Sequence, residues 1–202
     1  MLWKRNGAAH GVGASPLIAP GATLREVAFA VGSALEREGI HAVLCGGSAA
    51  TFYAPDVYQS EDLDFVLTFD TDGALVKSAL SELGYAFKNY MFIHSDSHFT
   101  VEFPKGPLAI GAEIVSTFDT VREGDQTLHI VSPTDVVRDR LNKYAAWDDF
   151  SALRAAVGVA LEQKIDLARV RGFMHREGQG VFRERFDESL KTFERRVREH
   201  LL

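Results

Sequence analysis

Two aspartates placed two residues apart within an apolar strand are the feature of this sequence that packing explains least well. Asp62 and Asp64 stand in the segment DLDFVLTF, whose alternation predicts a strand. Residues i and i+2 of a strand point to the same face, so the two carboxylates project together while Leu63 and Phe65 face the core. Adjacent carboxylates repel, and burying them is costly unless a cation compensates. The pair therefore predicts a Mg²⁺ site, because Mg²⁺ takes one or two carboxylates together with substrate phosphates. Two hydrated aspartates on an edge strand are the alternative.

A glycine pair upstream supplies a second chemical feature. The segment HAVLCGGSAATFYA reads as a short buried strand, a turn, and a short helix that starts at Ser48. Gly46 and Gly47 would let the backbone approach a ligand without a Cβ in the way. The free N–H groups and positive dipole end of the helix suit a phosphate, and Ser48 adds a hydroxyl donor. Because turns use glycine everywhere, this segment is informative only together with the aspartates that follow Ser48 after thirteen intervening residues.

The order strand, Gly-Gly-Ser, thirteen residues, Asp-Leu-Asp-Phe resembles the nucleotidyltransferase superfamily, the DNA polymerase β-like or minimal nucleotidyltransferase fold, in an uncharacterised bacterial branch. The resemblance covers residues 22–131. A weaker likeness follows in SPTDVVRDRLNKYAAWDD, which is similar to a Ser-Pro-x-Asp helix of bacterial members. The resemblance to the nucleotidyltransferase superfamily implies an α+β fold in which a mixed β-sheet core flanked by helices is followed by a C-terminal helical region.

The resemblance also implies a third acid on a neighbouring strand. Glu102, flanked by Val101 and Phe103 in HFTVEFP, is the predicted residue, and it could instead be an ordinary exposed strand residue. Glu113 in AIGAEIV is the competitor for this place.

The activity that the resemblance implies is transfer of a nucleoside monophosphate from an NTP such as ATP to an acceptor hydroxyl on RNA, a protein or a small molecule. Two Mg²⁺ ions would be held by Asp62, Asp64 and Glu102, and Glu102 could also accept the hydroxyl proton. The residues expected to contact the nucleotide are Gly46, Gly47, Ser48, Ser60 and Lys143.

Two positions depart from the pattern. Many relatives carry arginine four residues before the first aspartate and threonine two before it, where this chain has Tyr58 and Ser60. Ser60 can still donate to phosphate, but Tyr58 brings no positive charge. Cations must then come from the metals or from other basic residues, of which the candidates are Lys88, Lys105, Arg138, Arg140 and Lys143. For Lys143 an ion pair is the alternative role.

These departures keep a second function open. The chain could be a catalytically silent nucleotide-binding or partner-binding module. It could also be a toxin–antitoxin component whose C-terminal helices bind a partner protein or tRNA.

The flanking elements divide the chain into three segments: a loosely ordered lead-in over 1–21, the nucleotidyltransferase-like core over 22–131, and helices over 132–202. Thr23 and Glu26 have capping-box spacing before a helix that Gly39 closes. A second helix, ALVKSALSEL, stops at Gly84, and strands are predicted around 85–93, 98–103, 110–115 and in TLHIV. In the last helix an apolar stripe recurs every three or four residues and predicts packing against the body. Its members are Phe182, Phe186, Leu190, Phe193, Val197 and Leu201.

Composition and charge bear on nucleic-acid binding, disulfide formation, metal binding by histidine and membrane insertion. The net charge of −6 argues against general nucleic-acid binding, although residues 168–202 carry nine basic and six acidic side chains. These charges suit either phosphate contact or a solvated helix face.

Cys45 is the one cysteine, which excludes an internal disulfide and fits a reducing cytoplasm. It is predicted to be a small buried strand residue rather than a nucleophile. His94, His98 and His129 lack metal-ligand spacing to a carboxylate and are expected to be structural. No apolar segment is long enough to cross a membrane, and the oligomeric state stays open.

Overall fold

A computed structural model describes residues 18–201, with side chains over 18–200. Over these residues the chain forms seven α-helices, a mixed seven-stranded sheet and a small two-stranded sheet. The predicted α+β class is therefore confirmed. Most of the predicted lead-in lies outside the described residues; within it, Ile18 is buried in the core.

The elements follow one another along the chain without a long irregular insertion. The helices are α1 Leu24–Arg37, α2 Gly46–Tyr53, α3 Gly73–Ser81, α4 Pro133–Trp147, α5 Phe150–Glu162, α6 Leu167–Glu177 and α7 Arg183–Leu201. The strands are β1 Ala42–Cys45, β2 Asp62–Leu67, β3 Ala86–Lys88, β4 Met91–Ile93, β5 Thr100–Glu102, β6 Ala109–Ile110, β7 Glu113–Ile114, β8 Asp119–Glu123 and β9 Gln126–Ile130.

The large sheet has the order β3-β4-β5-β2-β1-β9-β8. Strand β1 is antiparallel to β2 and parallel to β9, and β2 is parallel to β5. Strands β6 and β7 form the separate small sheet. The central position of β2, between β1 and β5, places the aspartate pair where side chains from three strands can meet.

Helix α1 forms as its local signals predict. The Thr23 hydroxyl accepts from the Glu26 N–H while the Glu26 carboxylate accepts from the Thr23 N–H, which completes the capping box. At the other end Gly39 takes a positive φ of 70° and its N–H bonds the Glu36 carbonyl. The predicted start and end of this helix are thus confirmed.

Helix α2 begins at Gly46, two residues earlier than predicted, directly after β1. Gly46 has a φ of 66°, a left-handed conformation that lets the chain leave the strand and enter the helix within one residue. The Ser48 hydroxyl donates to the Cys45 carbonyl at 2.8 Å and closes the first turn. The predicted glycine turn is therefore the first turn of the helix itself.

The C-terminal helices share one core with the sheet. Helices α4 and α5 pack against each other and against α2. The predicted stripe on the last helix is buried at Phe186, Leu190 and Phe193, whereas Phe182 precedes α7 and is exposed. The Leu201 side chain lies outside the described range. None of the helices over residues 18–201 is long and apolar enough to span a bilayer.

The strand predictions are incomplete in two places. The segment 85–93 is a hairpin whose loop residues Asn89 and Tyr90 both have positive φ, and 110–115 contributes to two short strands rather than one. Strand β8 was not predicted. Most of its residues are exposed, so the segment lacks the apolar alternation that marks a half-buried strand.

Candidate functional site

Three carboxylates lie side by side across two paired strands. Asp62 and Asp64 are on β2, and the register of the parallel β2–β5 pair sets Asp64 opposite Glu102. Leu63 and Val101, which alternate with them and are also paired, are fully buried on the other face. The alternation predicted from the sequence thus brings Asp62, Asp64 and Glu102 together on one face of the sheet.

The negative charge of Asp64 is disfavoured by its surroundings. Burial, followed by the charges of Asp62 and Glu102, raises the pKa of Asp64 to about 6, and the Arg140 guanidinium only partly offsets this effect. Arg140 therefore leaves the partly buried Asp64 carboxylate with a deficit of positive charge nearby. A divalent cation is the group that this deficit suits.

Ser60 holds Asp62 in place. Its hydroxyl donates to Asp62 Oδ1 at 2.6 Å, and its own N–H donates to Thr51 Oγ1 at 2.9 Å. The sequence suggests that the Ser60 hydroxyl donates to a phosphate. In the structure its proton is directed to Asp62 instead. Ser60 orients a proposed metal ligand.

The Ser48 hydroxyl likewise forms hydrogen bonds to other groups of the protein. This buried hydroxyl donates to the Cys45 carbonyl and accepts from the Asp64 N–H at 3.1 Å, which ties α2 to β2 beside the carboxylates. The expected hydroxyl donation from Ser48 to a phosphate is therefore replaced by an internal hydrogen bond.

The glycine pair makes room for side chains of the site. A Cβ on Gly46 would lie 2.7 Å from Asp64 Oδ2, and a Cβ on Gly47 would lie 3.1 Å from both Ser60 Oγ and the Tyr58 hydroxyl. The expected open space for a ligand at these Cβ positions is thus occupied by protein. The backbone still suits an anion, because the N-cap residue Cys45 makes no side-chain capping bond to the first turn of α2.

Arg140 supplies a positive charge near Tyr58, which occupies the position where many relatives carry arginine. Burial lowers the pKa of Arg140, but the charges of Asp139, Tyr58 and Asp64 and a hydrogen bond from Nε to Asp139 Oδ2 at 2.9 Å outweigh it and raise the pKa. The buried guanidinium therefore lies near both Tyr58 and Asp64. A cavity of about 200 Å³ adjoins it, and Gly46, Lys105 and Asp139 are among its lining residues. Of the five predicted cations, Arg140 is the one whose charge acts on Asp64.

The other predicted cations have different surroundings. Arg138 is buried in ion pairs with Asp135 and Glu113, and Lys143 is half-exposed with its ammonium 3.4 Å from Asp149 Oδ2. Lys88 is on the edge strand β3, two strands from β5. Lys105 is exposed at the rim of the cavity beside Gly46. Arg138 is therefore structural, and Lys105 lines the same cavity as Arg140.

Glu113 does not join the carboxylate cluster. It lies on β7, where it accepts from Arg138 and from Arg176 Nε at 2.8 Å. Burial raises the pKa of Glu113, but the bond from Arg176 and the charges of both arginines outweigh it and lower the pKa. The competitor for the third acid is thus neutralised in a separate ion-pair group, which leaves Glu102 in that place.

Cys45 has the surroundings of a structural thiol. Burial and the nearby charges of Asp64 and Asp139 raise its pKa, and its Sγ lies 3.5 Å from the Asp64 carbonyl. Because the thiolate is the nucleophilic form, Cys45 is held in its unreactive state.

Sequence reasoning missed one cluster of potential ligands. His129 has no metal-ligand spacing to a carboxylate along the chain, yet its Nε2 lies 3.2 Å from Glu36 Oε2, and His41 Nδ1 lies 3.2 Å from the same oxygen. Glu36 and His129 are 93 residues apart, so spacing along the chain held no signal.

The basic C-terminal segment is largely engaged in ion pairs. Five of its nine basic residues pair with carboxylates, a role closer to the solvated-face interpretation than to phosphate contact. The pairs are Arg169–Asp135, Arg171–Glu194, Arg176–Glu113, Arg185–Asp148 and Lys191–Glu188.

Comparison with known proteins bears on the fold. No protein-family profile matches this chain, and no curated protein matches it. It is similar to the crystal structure of an antigenic nucleotidyltransferase-like protein from Paracoccidioides brasiliensis, with a TM-score of 0.50 and 15% identity over 86% of this chain and 94% of that chain. The solution structure of the antibiotic-resistance factor ANT(2'')-Ia aligns with 84% of this chain and 90% of its own, with a TM-score of 0.41 and 9% identity. The first of these two structures confirms the resemblance inferred from the sequence at the level of a nucleotidyltransferase fold, and function has to be argued from the site.

Proposed function

We propose that this chain is a metal-dependent nucleotidyltransferase that moves a nucleoside monophosphate from an NTP to an acceptor hydroxyl on RNA, a protein or a small molecule. The observation that carries the proposal is the grouping of Asp62, Asp64 and Glu102 on one sheet face, next to the first turn of α2. The nucleotidyltransferase fold agrees with it.

The donor set fits Mg²⁺. Three carboxylates supply the oxygen ligands that this ion prefers, and burial together with the charges of Asp62 and Glu102 raises the pKa of Asp64 more than nearby Arg140 lowers it. Two divalent ions bound there would activate the acceptor hydroxyl and neutralise charge on the leaving pyrophosphate.

The protein's own groups have separate tasks in this proposal. Ser60 orients Asp62, and Ser48 fixes the backbone of Asp64. Glu102 is the proposed acceptor of the hydroxyl proton. The N–H groups of Gly46 and Gly47, at the positive end of α2, would hold the β- and γ-phosphates.

Basic residues complete the proposed nucleotide site. Arg140 provides the positive charge absent at Tyr58, with Lys105 at the rim and Lys143 as a further contact from α4. Because no covalent intermediate on the protein is required, the rate gain would come from position and charge.

Asp62→Asn tests the proposal directly. Thermal unfolding would be followed with Mg²⁺ and each NTP in turn, and transfer of labelled NTP to total RNA and to the protein itself would be measured. We expect the native chain to be stabilised by Mg²⁺ with NTP and to transfer label, and Asp62→Asn to abolish transfer while remaining folded. Glu61→Gln is the matched control, because Glu61 is an exposed neighbouring carboxylate outside the cluster. Full activity in Asp62→Asn would refute the proposal.

The second candidate is a catalytically silent nucleotide- or partner-binding module, and Tyr58 at the usual arginine position favours it. In the same experiment this module would show Mg²⁺-dependent and NTP-dependent stabilisation without transfer to any acceptor. A toxin–antitoxin role for the C-terminal helices, with tRNA or a partner protein, would then be tested by co-purification.

A further inference from the structure

A second group of potential metal ligands lies away from the carboxylate cluster. Glu36 is in the last turns of α1, His41 immediately precedes β1, and His129 is on β9, opposite Val43 of β1. His41 and Gly46 lie at opposite ends of β1, ~16 Å apart along the strand. The two groups are therefore separate.

Two of the three distances between these ligand atoms are close to those of a tetrahedral metal site. Glu36 Oε2 lies 3.2 Å from His41 Nδ1 and 3.2 Å from His129 Nε2, and all three atoms lie within 4.8 Å of one another. Metal–ligand bonds of ~2.0–2.2 Å in tetrahedral geometry place neighbouring ligand atoms ~3.3–3.6 Å apart. A first-row ion fits among the three atoms with small side-chain adjustments.

The surroundings of His129 also suit a ligand. Its second ring nitrogen, Nδ1, lies 2.9 Å from Thr120 Oγ1, a hydrogen bond that holds the ring with Nε2 toward Glu36. The Phe118 ring packs edge-on against His129 at 5.2 Å, and Phe69 lies edge-on to His41 at 6.2 Å. An outer hydrogen bond that fixes the ring and partial apolar walls are typical of protein metal sites.

We propose that Glu36, His41 and His129 bind a zinc-class divalent ion that clamps α1 to β1 and β9. Two imidazoles and one carboxylate favour Zn²⁺ over Mg²⁺, which prefers oxygen ligands. The side chains of His129, Glu36 and His41 are 15%, 35% and 46% exposed, so the site is open to water at a fourth position. The ion would stabilise the fold, since it binds the assembled site and not the unfolded chain.

Zinc titration of the tag-free full chain tests this site. Affinity would be measured by competition with a chromophoric chelator, with excess Mg²⁺ present to occupy the carboxylate cluster. We expect one Zn²⁺ per chain, an affinity at least tenfold weaker in His129→Ala and in Glu36→Gln, and weakening of about tenfold in Thr120→Val. His175→Ala is the control that should leave affinity unchanged, because His175 pairs with the single carboxylate of Asp187.

His41→Ala is a second variant that we expect to remain folded, because His41 is the most exposed of the three ligands. The Co²⁺-substituted chain should show the visible absorption of a tetrahedral site, and this absorption should be lost in His41→Ala. Equal Zn²⁺ affinity in the native chain, His129→Ala and His41→Ala would overturn the proposal and leave the cluster as hydrogen-bonded histidines. Neither readout depends on nucleotidyl transfer, so this site and the proposed function can fail independently.

Discussion

Asp64 shows most directly how a single residue links stability to the proposed chemistry. Its carboxylate is partly buried beside Asp62 and Glu102, and a Cβ at Gly46 would lie 2.7 Å from its Oδ2 and force a shift. Such a carboxylate opposes folding when it is charged and no cation is bound. The same charge would attract the ion that the transfer reaction needs.

Asp64→Asn should therefore stabilise the metal-free protein at alkaline pH. Because the folded-state pKa is raised from 3.8 to about 6, native stability is favoured below pH 4 and falls as pH rises through 6. The full shift would correspond to about 3 kcal/mol, and solvent screening reduces the expected gain to ~1–2 kcal/mol.

Urea unfolding in a chelator would measure this gain at pH 8 and at pH 4. The gain should be present at pH 8 and absent at pH 4, and Glu61→Gln should show neither effect. Equal stability of Asp64→Asn and the native chain at pH 8 would show that the charge is already compensated.

Prediction from the sequence succeeded for residues whose signals are local. The pair Asp62 and Asp64 follows from strand alternation, and the Thr23 cap follows from a spacing of three residues. Arg140 could only be named among five cations, because its position near Asp64 depends on how α4 packs. The Glu36, His41 and His129 group depends on contacts across the whole fold and left no trace in spacing.

At the scale of elements, the junction of β1 and α2 determines the shape of the site. Strand β1 pairs with β2 so that Cys45 is opposite Asp64, and α2 starts at the next residue. The register between β2 and β5 then decides which glutamate becomes the third acid. Pairing across strands is not encoded in local alternation, which is why the sequence predicts Glu102 but leaves Glu113 as a competitor.

Gly46→Ala should disturb this junction in two ways. The positive φ of 66° costs an alanine ~1 kcal/mol or more, and the new Cβ would meet Asp64 Oδ2 at 2.7 Å. We expect a loss of stability of about 2 kcal/mol together with weakened Mg²⁺ binding, measured by urea unfolding and by calorimetry.

Gly180→Ala is the matched control for this change. Gly180 has a similar φ of 59° but no atom within 4 Å of its Cβ position, so only the backbone strain applies. A loss of Mg²⁺ affinity in Gly180→Ala equal to that in Gly46→Ala would show that the contact with Asp64 has no role.

At the scale of the molecule, an ion-pair group with a buried centre at Asp135 and Arg138 joins the C-terminal helices to the small sheet. Asp135 of α4 accepts from Arg138 Nη1 at 2.6 Å and pairs with Arg169 of α6, while Glu113 of β7 pairs with Arg138 and with Arg176 of α6. The Ser-Pro-x-Asp motif that resembled a family helix thus both caps α4, through Ser132, and supplies the central carboxylate of this group.

Asp135→Ala should destabilise the whole fold rather than the site alone. Asp135 is 1% exposed and Arg138 is 3% exposed, so the change leaves a buried guanidinium partly unpaired and should cost about 3–5 kcal/mol. Glu188→Ala removes an ion pair of the same i, i+3 spacing whose partners are 62% and 69% exposed, and it should cost less than ~1 kcal/mol. Denaturant unfolding followed by far-ultraviolet circular dichroism would compare the two. Similar small losses in both variants would mean that the helices α4 and α6 are held to the sheet by apolar packing, with the buried charges adding little.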